Sequence, residues 1–356
     1  MRIAIVAPPW VPVPPPAYGG TETVLDTLAR GLSAAGHEVV LWTTGDSTCL
    51  VPRRHVLERA LGTASGAMAS ELRHVVGAYA EMSGVDVVHD HTLVGPVYAD
   101  RLPWLPVVTT NHGPFQSDLS ALYRATSDRV PVIAISHHQA AGAEGVRLAG
   151  VIHHGVDPGA FPVGDGSGGY AVFLGRMSPD KGVDTAVRVA RRAGVPLLIA
   201  AKMAEANEKA YFDQKVKPIL GDGVEYIGEL GSAAKLELLG RAICLINPIA
   251  WPEPFGMVMI EAMATGTPVV ATPCGAVPEI VVDGLTGFIR SGEESLADAV
   301  ARIGEIDRRD CRARVEGSFS AEQMVDAHLE VYRTVIEERR PPALALVRRA
   351  EDAEAV

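Results

Sequence analysis

Short, wholly apolar runs recur along this chain at intervals too wide for hairpins, each followed by a stretch of helical length. That alternation restricts the fold more than any other feature. The first run is Arg2 to Ala7 and the next is His37 to Thr44; between them Thr21 is the expected cap of a helix that reaches Ala35 and stops at Gly36. Helices are expected near Ala67 to Met82, near Ser117 to Thr126 and from about His137. Strands are expected at Asp86 to His89, Pro106 to Thr110, Val130 to Ile135 and near Val151 to His153. Strand and helix in strict turn imply a parallel sheet covered on both faces. In such sheets ligands lie beyond the carboxyl ends of the strands.

Gly155 to Gly169 breaks the pattern with Asp157-Pro158, Phe161-Pro162 and a glycine-rich run, and reads as an interdomain linker. A second alternation follows, with strands at Tyr170 to Leu174, Pro196 to Ala200, Val224 to Ile227, Ile243 to Ile246 and Pro268 to Ala271. Helices are expected at Val183 to Ala193, Met257 to Thr265, Ser295 to Ile303 and Ala321 to Glu338, with a turn at Asp283-Gly284 and Thr286-Gly287. A chain of 356 residues accommodates two such domains. The expected division is 1–158 and 159–320, then a C-terminal helix over 321–340 and an Ala/Arg/Glu-rich tail over 341–356 that reads as a loose helix or disordered.

Chemistry concentrates in two stretches of the second half. In Glu253-Pro-Phe-Gly-Met-Val-Met-Ile-Glu261 the prolines hold the approach extended, Gly256 permits close contact with a ligand, and a helix starts near Phe255 or Gly256. Its first backbone N–H groups lack intrahelical partners and, with the dipole, make an anion site. Glu253 lies just outside that end and Glu261 roughly 7 to 8 Å along the axis, about the reach of a diphosphate. Two acids beside an anion site more plausibly accept hydrogen bonds from neutral hydroxyls than work as a glycosidase pair. The second stretch, Gly175-Arg-Met-Ser-Pro-Asp-Lys-Gly182, reads as a loop with Arg176 and Lys181 at a strand's carboxyl end, where two cations could clamp a diphosphate.

A formal charge of −11 argues against a general nucleic-acid binder. The four cysteines are scattered without a CxxC pair, which suggests neither a zinc site nor a disulfide framework and fits a cytoplasmic setting. The opening run reads as a strand and loop, not a signal peptide, and no later run has the length of a membrane span. Residues 1–160 contain no lysine and cluster only Arg53, Arg54 and Arg59, so membrane association has little to rest on. Gly19-Gly20 could let a diphosphate approach the backbone, although GxGxxG is absent. Histidines gather at expected strand ends: His89 and His91, His112, His137-His138, and His153-His154. His89, His91 and His112 could form a metal site, since alternate strand residues share a face, but no carboxylate cluster accompanies them and no Asp-x-Asp occurs. No metal is therefore expected, and His112 is read as offering hydrogen bonds to a substrate.

Together, Gly19-Gly20, His112-Gly113, the G-R-x4-K-G of residues 175–182 and the E-P-F-G-x4-E of residues 253–261 resemble the family 4 glycosyltransferases of GT-B fold. The resemblance implies two Rossmann-like parallel-sheet domains facing across a cleft. It also implies a nucleoside-diphosphate sugar, most often a UDP-sugar, on the second domain, an acceptor on the first, and transfer with retention at the anomeric carbon. By position, Arg176 and Lys181 would hold the diphosphate, Glu261 the ribose hydroxyls and Glu253 sugar hydroxyls. The backbone of Phe255, Gly256, Met257 and Val258 would touch sugar and phosphate, Gly20 would approach the phosphate, and His112 would contact the transferred sugar. The last helix would cross back to the first domain. Asn247 and Ala201-Lys202 depart from the family's usual residues at those positions. No cofactor is implied beyond the donor substrate. The alternatives are a nucleotide-sugar epimerase on the same fold and a non-catalytic two-domain sugar-binding protein of the exported kind.

Overall fold

The computed structural model describes residues 1–62, 67–115 and 118–339. The expected tail from 341 onward and the start of the helix expected from Ser117 lie outside those residues.

The first seven strands are β1 (Arg2–Val6), β2 (Glu38–Thr44), β3 (Arg53–Leu57), β4 (Val87–Asp90), β5 (Val107–Thr110), β6 (Val132–Ala134) and β7 (Leu148–Val151). They form one parallel sheet in the order β3-β2-β1-β4-β5-β6-β7. Its helices are α1 (Gly20–Ala34), α2 (Ala67–Tyr79), α3 (Gly95–Ala99), α4 (Asp118–Thr126) and α5 (His137–Ala141). The second sheet has β8 (Ala171–Arg176), β9 (Leu197–Lys202), β10 (Val224–Gly228), β11 (Cys244–Asn247), β12 (Val269–Ala271) and β13 (Gly287–Ile289), ordered β10-β9-β8-β11-β12-β13 and again parallel. Around it lie α6 (Val183–Ala193), α7 (Ala206–Tyr211), α8 (Ser232–Arg241), α9 (Met257–Ala264), α10 (Val277–Ile280), α11 (Glu293–Ala301) and α12 (Arg308–Ser318); α13 (Ala321–Arg339) closes the described chain. Strand order reverses between β1 and β4 and between β8 and β11, which places a crevice at the carboxyl edge of each sheet.

The strands are apolar because both faces are covered: Ile3, Ala4, Ile5 and Val6 of β1, and Cys244, Leu245 and Ile246 of β11, have no solvent exposure. The helix α9 is apolar except at Glu261, and Met259, Ile260, Ala262, Met263 and Ala264 are all fully buried. By contrast α13 is amphipathic. Its Met324, Val325, Leu329, Tyr332 and Val335 pack into the core of the first sheet with Leu25, Leu28 and Leu32 of α1. Gly31 permits that contact, since a Cβ there would lie 2.6 Å from Val325.

Several local expectations are corrected. Thr21 is not a cap; α1 starts at Gly20 behind Gly19, two residues earlier than a Thr21 cap would place it, and has no side-chain cap. The linker is much shorter than its composition suggested. The first lobe's chain passes out beside the connection between α12 and α13, Val156 N–H donating to Phe319 O at 2.9 Å and Ala321 N–H to Val156 O at 2.7 Å. Residues 161–169 then pack on the second lobe, where Gly164 donates to Thr265 O and a Cβ on Gly164 would meet Gly240 O at 2.0 Å. The strand expected near Val151 to His153 ends at Val151, and Gly175 and Arg176 belong to β8 instead of the following loop. Among the described residues no helix is long and apolar enough to cross a membrane.

Candidate functional site

Arg176 ends β8, with its Nη2 donating to Asp180 Oδ2 at 3.0 Å. A single 3-10 turn, Pro179–Lys181, follows and is stopped by Gly182 at φ 72°. A Cβ on Gly182 would sit 2.2 Å from the carbonyl oxygen of Pro248, so only glycine lets this turn close on the loop leaving β11. That contact brings Lys181 against Glu253. Lys181 Nζ donates to Glu253 Oε2, which also accepts from Trp251 Nε1 at 2.8 Å, and the ammonium lies 5.5 Å from the Trp251 ring centre. Behind Glu253 stands Gly275, where a Cβ would come within 2.2 Å of the Glu253 carbonyl oxygen.

Gly256, at φ 105°, turns the chain into α9, and no side chain caps the helix, so the N–H groups of its first turn face the cleft. Glu261 is one turn further in, 5% exposed, and its Oε1 accepts from Lys235 Nζ at 2.6 Å. Each carboxylate is thus held by a lysine, and each lysine is a cation that an anionic ligand could share.

The first lobe faces this set with the turn before α1 and the ends of β4 and β5. At Gly19 a Cβ would lie 2.6 Å from Pro15 Cβ and 2.9 Å from Glu22 Oε2, whereas at Gly20 the nearest atom is Met257 Cγ at 3.8 Å. Gly19 is therefore required by packing, whereas a Cβ at Gly20 would only touch the Met257 side chain at the start of α9. His112 is half-buried in the cleft wall. Burial, with the nearby His328, holds its imidazole down to about 4, so it is neutral near pH 7. Its Nε2 is 2.9 Å from His91 Nδ1, and its ring stacks on His154 with centres 5.3 Å apart.

A cavity of about 480 Å³ between the lobes is lined by Gly19, Gly20 and His112 from one side and by Arg176, Lys181, Glu253, Phe255, Gly256, Met257, Val258 and Glu261 from the other. Every residue singled out in the sequence for chemistry on a donor borders this space. The sequence reading used only the backbone of Phe255, but its ring is also informative. It is buried against His154 at 5.1 Å, His153 at 5.8 Å and Phe319 at 6.0 Å between ring centres, pinning the start of α9 to the first lobe.

Residues given no donor role in the sequence also line the cavity: Lys202 at the end of β9, Lys235 in the first turn of α8, Trp251, His154, Glu22 and Tyr18. Burial raises the Glu22 carboxyl and pushes the Tyr18 phenol up to about 12. Lys202 ends β9 and obeys the strand-end rule already applied to Arg176, and that rule would have flagged it.

The histidines at strand ends pack on one another and on their neighbours. His89 spends both ring nitrogens, on Tyr332 Oη and Thr110 Oγ1, each at 2.7 Å. Among the described residues one trio could bring ligand atoms together for a metal, His137, His153 and Glu279. There the Glu279 carboxylate already accepts the backbone N–H of His137 at 2.8 Å and of His138 at 2.7 Å, and lies 2.8 Å from His153 Nε2. It caps α5 from the other lobe and acts as a clasp beside the crossing.

Residues 18–160 match the family described as Glycosyltransferase Family 4, and residues 165–316 the one described as Glycosyl transferases group 1. The D-inositol 3-phosphate glycosyltransferase of Mycobacterium tuberculosis is 30% identical over 333 aligned residues, covering 77% of this chain. This chain spans 66% of that relative's length. Among solved structures, AviGT4, a glycosyltransferase involved in avilamycin A biosynthesis, is 26% identical with TM-score 0.72, covering 95% of this chain and 98% of its own. Anabaena HepE in complex with UDP-glucose shares the fold at 18% identity, TM-score 0.75, covering 94% of this chain and 100% of its own.

Proposed function

This chain belongs to the family 4 glycosyltransferases of GT-B fold, and from that premise we propose that it transfers a glycosyl group from a nucleoside-diphosphate sugar, a UDP-sugar by preference, to an acceptor bound on the first lobe. One observation carries the proposal. The cations Arg176 and Lys181, the uncapped tip of α9, and two lysine-held carboxylates meet Gly20 and His112 across a single cleft. The diphosphate takes Arg176, Lys181 and the α9 amides, while Glu261 accepts ribose hydroxyls with the oxygen that Lys235 leaves free. Glu253 turns to hydroxyls of the transferred sugar, and His112 lies near the reacting carbon. Retention follows if the acceptor attacks from the face the phosphate leaves, its proton passing to a phosphate oxygen.

Leaving-group charge would be balanced by fixed donors without a metal, a reading supported by the cationic clamp and by the absence of Asp-x-Asp from the sequence. AviGT4, similar over nearly its whole length, supports the transferase reading, and the HepE complex illustrates a UDP-sugar on this fold. A thermal-shift panel of UDP-, GDP-, ADP- and TDP-sugars identifies the donor, since a bound ligand stabilises by RT ln(1 + [L]/Kd). The anomeric configuration of the product then tests retention. Release of an isomerised nucleotide sugar from donor alone would replace transfer with epimerisation. Failure of every nucleotide sugar to raise Tm would refute the proposal.

A further inference from the structure

The wall of the cleft behind His112 is built from imidazoles in contact. His91 Nδ1 lies 2.9 Å from His112 Nε2, and the His91 ring packs on His89 with ring centres 3.9 Å apart and planes tilted by 42°; His89 in turn meets His328 and Tyr332 of the returning helix. Three facts about this stack constrain where protons sit. His91 Nδ1 and His112 Nε2 share one hydrogen bond, so one of them carries the hydrogen and the other does not. His91 Nε2 is fully buried with no hydrogen-bond partner. His112 Nδ1 has no partner among the described residues, and its ring borders the cavity.

Two neutral arrangements satisfy the shared bond. In one, His112 donates from Nε2 and His91 accepts at Nδ1. The His91 hydrogen is then on the orphaned Nε2, leaving an N–H donor buried with nothing to bond. In the other, His91 donates from Nδ1, and its orphaned Nε2 holds only a lone pair. An unpaired buried N–H is much the rarer and costlier defect, so the second arrangement prevails. His112 must then carry its own hydrogen on Nδ1.

We infer that His91 is a positioning residue which, by donating from Nδ1 to His112 Nε2, fixes His112 in the Nδ1–H tautomer and offers that N–H to an oxygen of the bound substrate. The basic nitrogen of His112 is thereby occupied, so this histidine donates a hydrogen bond and does not accept the acceptor's proton. That task falls to the leaving phosphate oxygen. The inference rests on the transferase reading for its catalytic consequence, but the tautomer stands or falls by itself.

The tautomer is read directly from long-range ¹H–¹⁵N correlation spectra of the ¹⁵N-histidine-labelled protein, with His112 assigned by comparison with His112→Gln. A protonated-type shift at Nδ1 and an unprotonated one at Nε2 are expected, and the reverse would overturn the inference. His91→Asn keeps an N–H donor near the place of Nδ1, whereas His91→Leu removes it. The asparagine variant should retain kcat to within about threefold and the leucine variant should lose roughly 10- to 100-fold in kcat, the size of one lost hydrogen bond in the transition state. Donor KM should move little in either. Equal losses in both variants would reduce His91 to a packing role and overturn the inference; if His91→Leu does not fold, the wild-type and asparagine spectra still decide. A wild-type protein that turns over no nucleotide sugar would count against the transferase reading and leave the tautomer question answered.

Discussion

Lys181 is the residue whose removal separates binding from chemistry most sharply. Its ammonium is shared between the cavity and Glu253, and both side chains are largely withdrawn from water, 12% and 14% exposed. Lys181→Ala therefore does two things. It deletes a donor to the leaving diphosphate, which typically costs about 10² to 10³ in kcat. It also leaves the Glu253 carboxylate with only the Trp251 indole, as an uncompensated negative charge facing an anionic ligand. At a separation of about 6 Å and an effective dielectric of about 20, that repulsion is roughly 2 to 3 kcal/mol, or about 30- to 150-fold in affinity before solvent screening reduces it. Adding Glu253→Gln to Lys181→Ala removes the repulsion without restoring the donor. Isothermal titration with the nucleoside diphosphate should thus show affinity lost in the single variant and largely recovered in the double. The kcat, measured from nucleoside diphosphate released at saturating donor, should stay at least about 100-fold low in both. A single variant within about threefold of wild-type kcat would refute the clamp. A double variant that binds no better than the single would refute the account of Glu253.

Further expectations follow from the glycines, the histidines and the charges. Gly20→Val should raise donor KM at least about tenfold with Tm nearly unchanged, because its side chain enters open cleft, whereas Gly19→Ala should lower Tm because its Cβ overlaps Pro15 and Glu22; calorimetry and initial rates on the pair distinguish space for ligand from space for packing. His112 and His328 are held down to about 4 by burial, and His89, His91 and His154 well below their ordinary value. The unfolded chain therefore binds protons below about 6.5 that the folded one refuses, and stability present above that pH is lost as pH falls toward 4, each histidine contributing up to about 1.4 kcal/mol per pH unit. Denaturant melts at pH 7.5, 6.5 and 5.5 check this, and a flat profile would contradict the burial of the stack. Transfer activity should survive dialysis against EDTA, and loss that Mg²⁺ restores would replace the fixed cations with a metal as the group that balances the leaving charge.

What the sequence revealed and what it hid divide along physical lines. Strands buried on both faces announce themselves as apolar runs, and Gly-Pro punctuation marked their helices. The Arg176/Lys181 turn and the Glu253–Glu261 stretch were legible because each is a short local pattern whose purpose does not depend on distant residues. The elements passed over lack such patterns. The helix α12, Arg308 to Ser318, buries only Cys311 and Val315 and owes its place to arginines: Arg308 donates to the carbonyls of Gly164, Ala242 and Gly240, and Arg312 to those of Phe161 and Ala264. No hydrophobic period announces a helix held in that way. The strand β13 has only three residues, the first of which, Gly287, falls in the expected turn. Lys235 and the histidine stack were invisible for another reason, since their partners lie 26 and up to 243 residues away in sequence.

That long-range stack also bears on how the two lobes could work together. The chain crosses between them at Val156 and Phe319–Ala321, and the Glu279 clasp and the Phe255 ring sit beside that crossing. From Phe255 contact runs to His154, from His154 to His112, and from His112 to His91. Points near a hinge move least when lobes rotate. A rotation about this crossing would therefore carry Gly20 and the α1 turn toward or away from the α9 tip while leaving His112 nearly fixed relative to Phe255. The reacting end of the site is then preorganised by the packed aromatic wall, and lobe closure would complete the diphosphate end, where Gly20 and Met257 border the cavity.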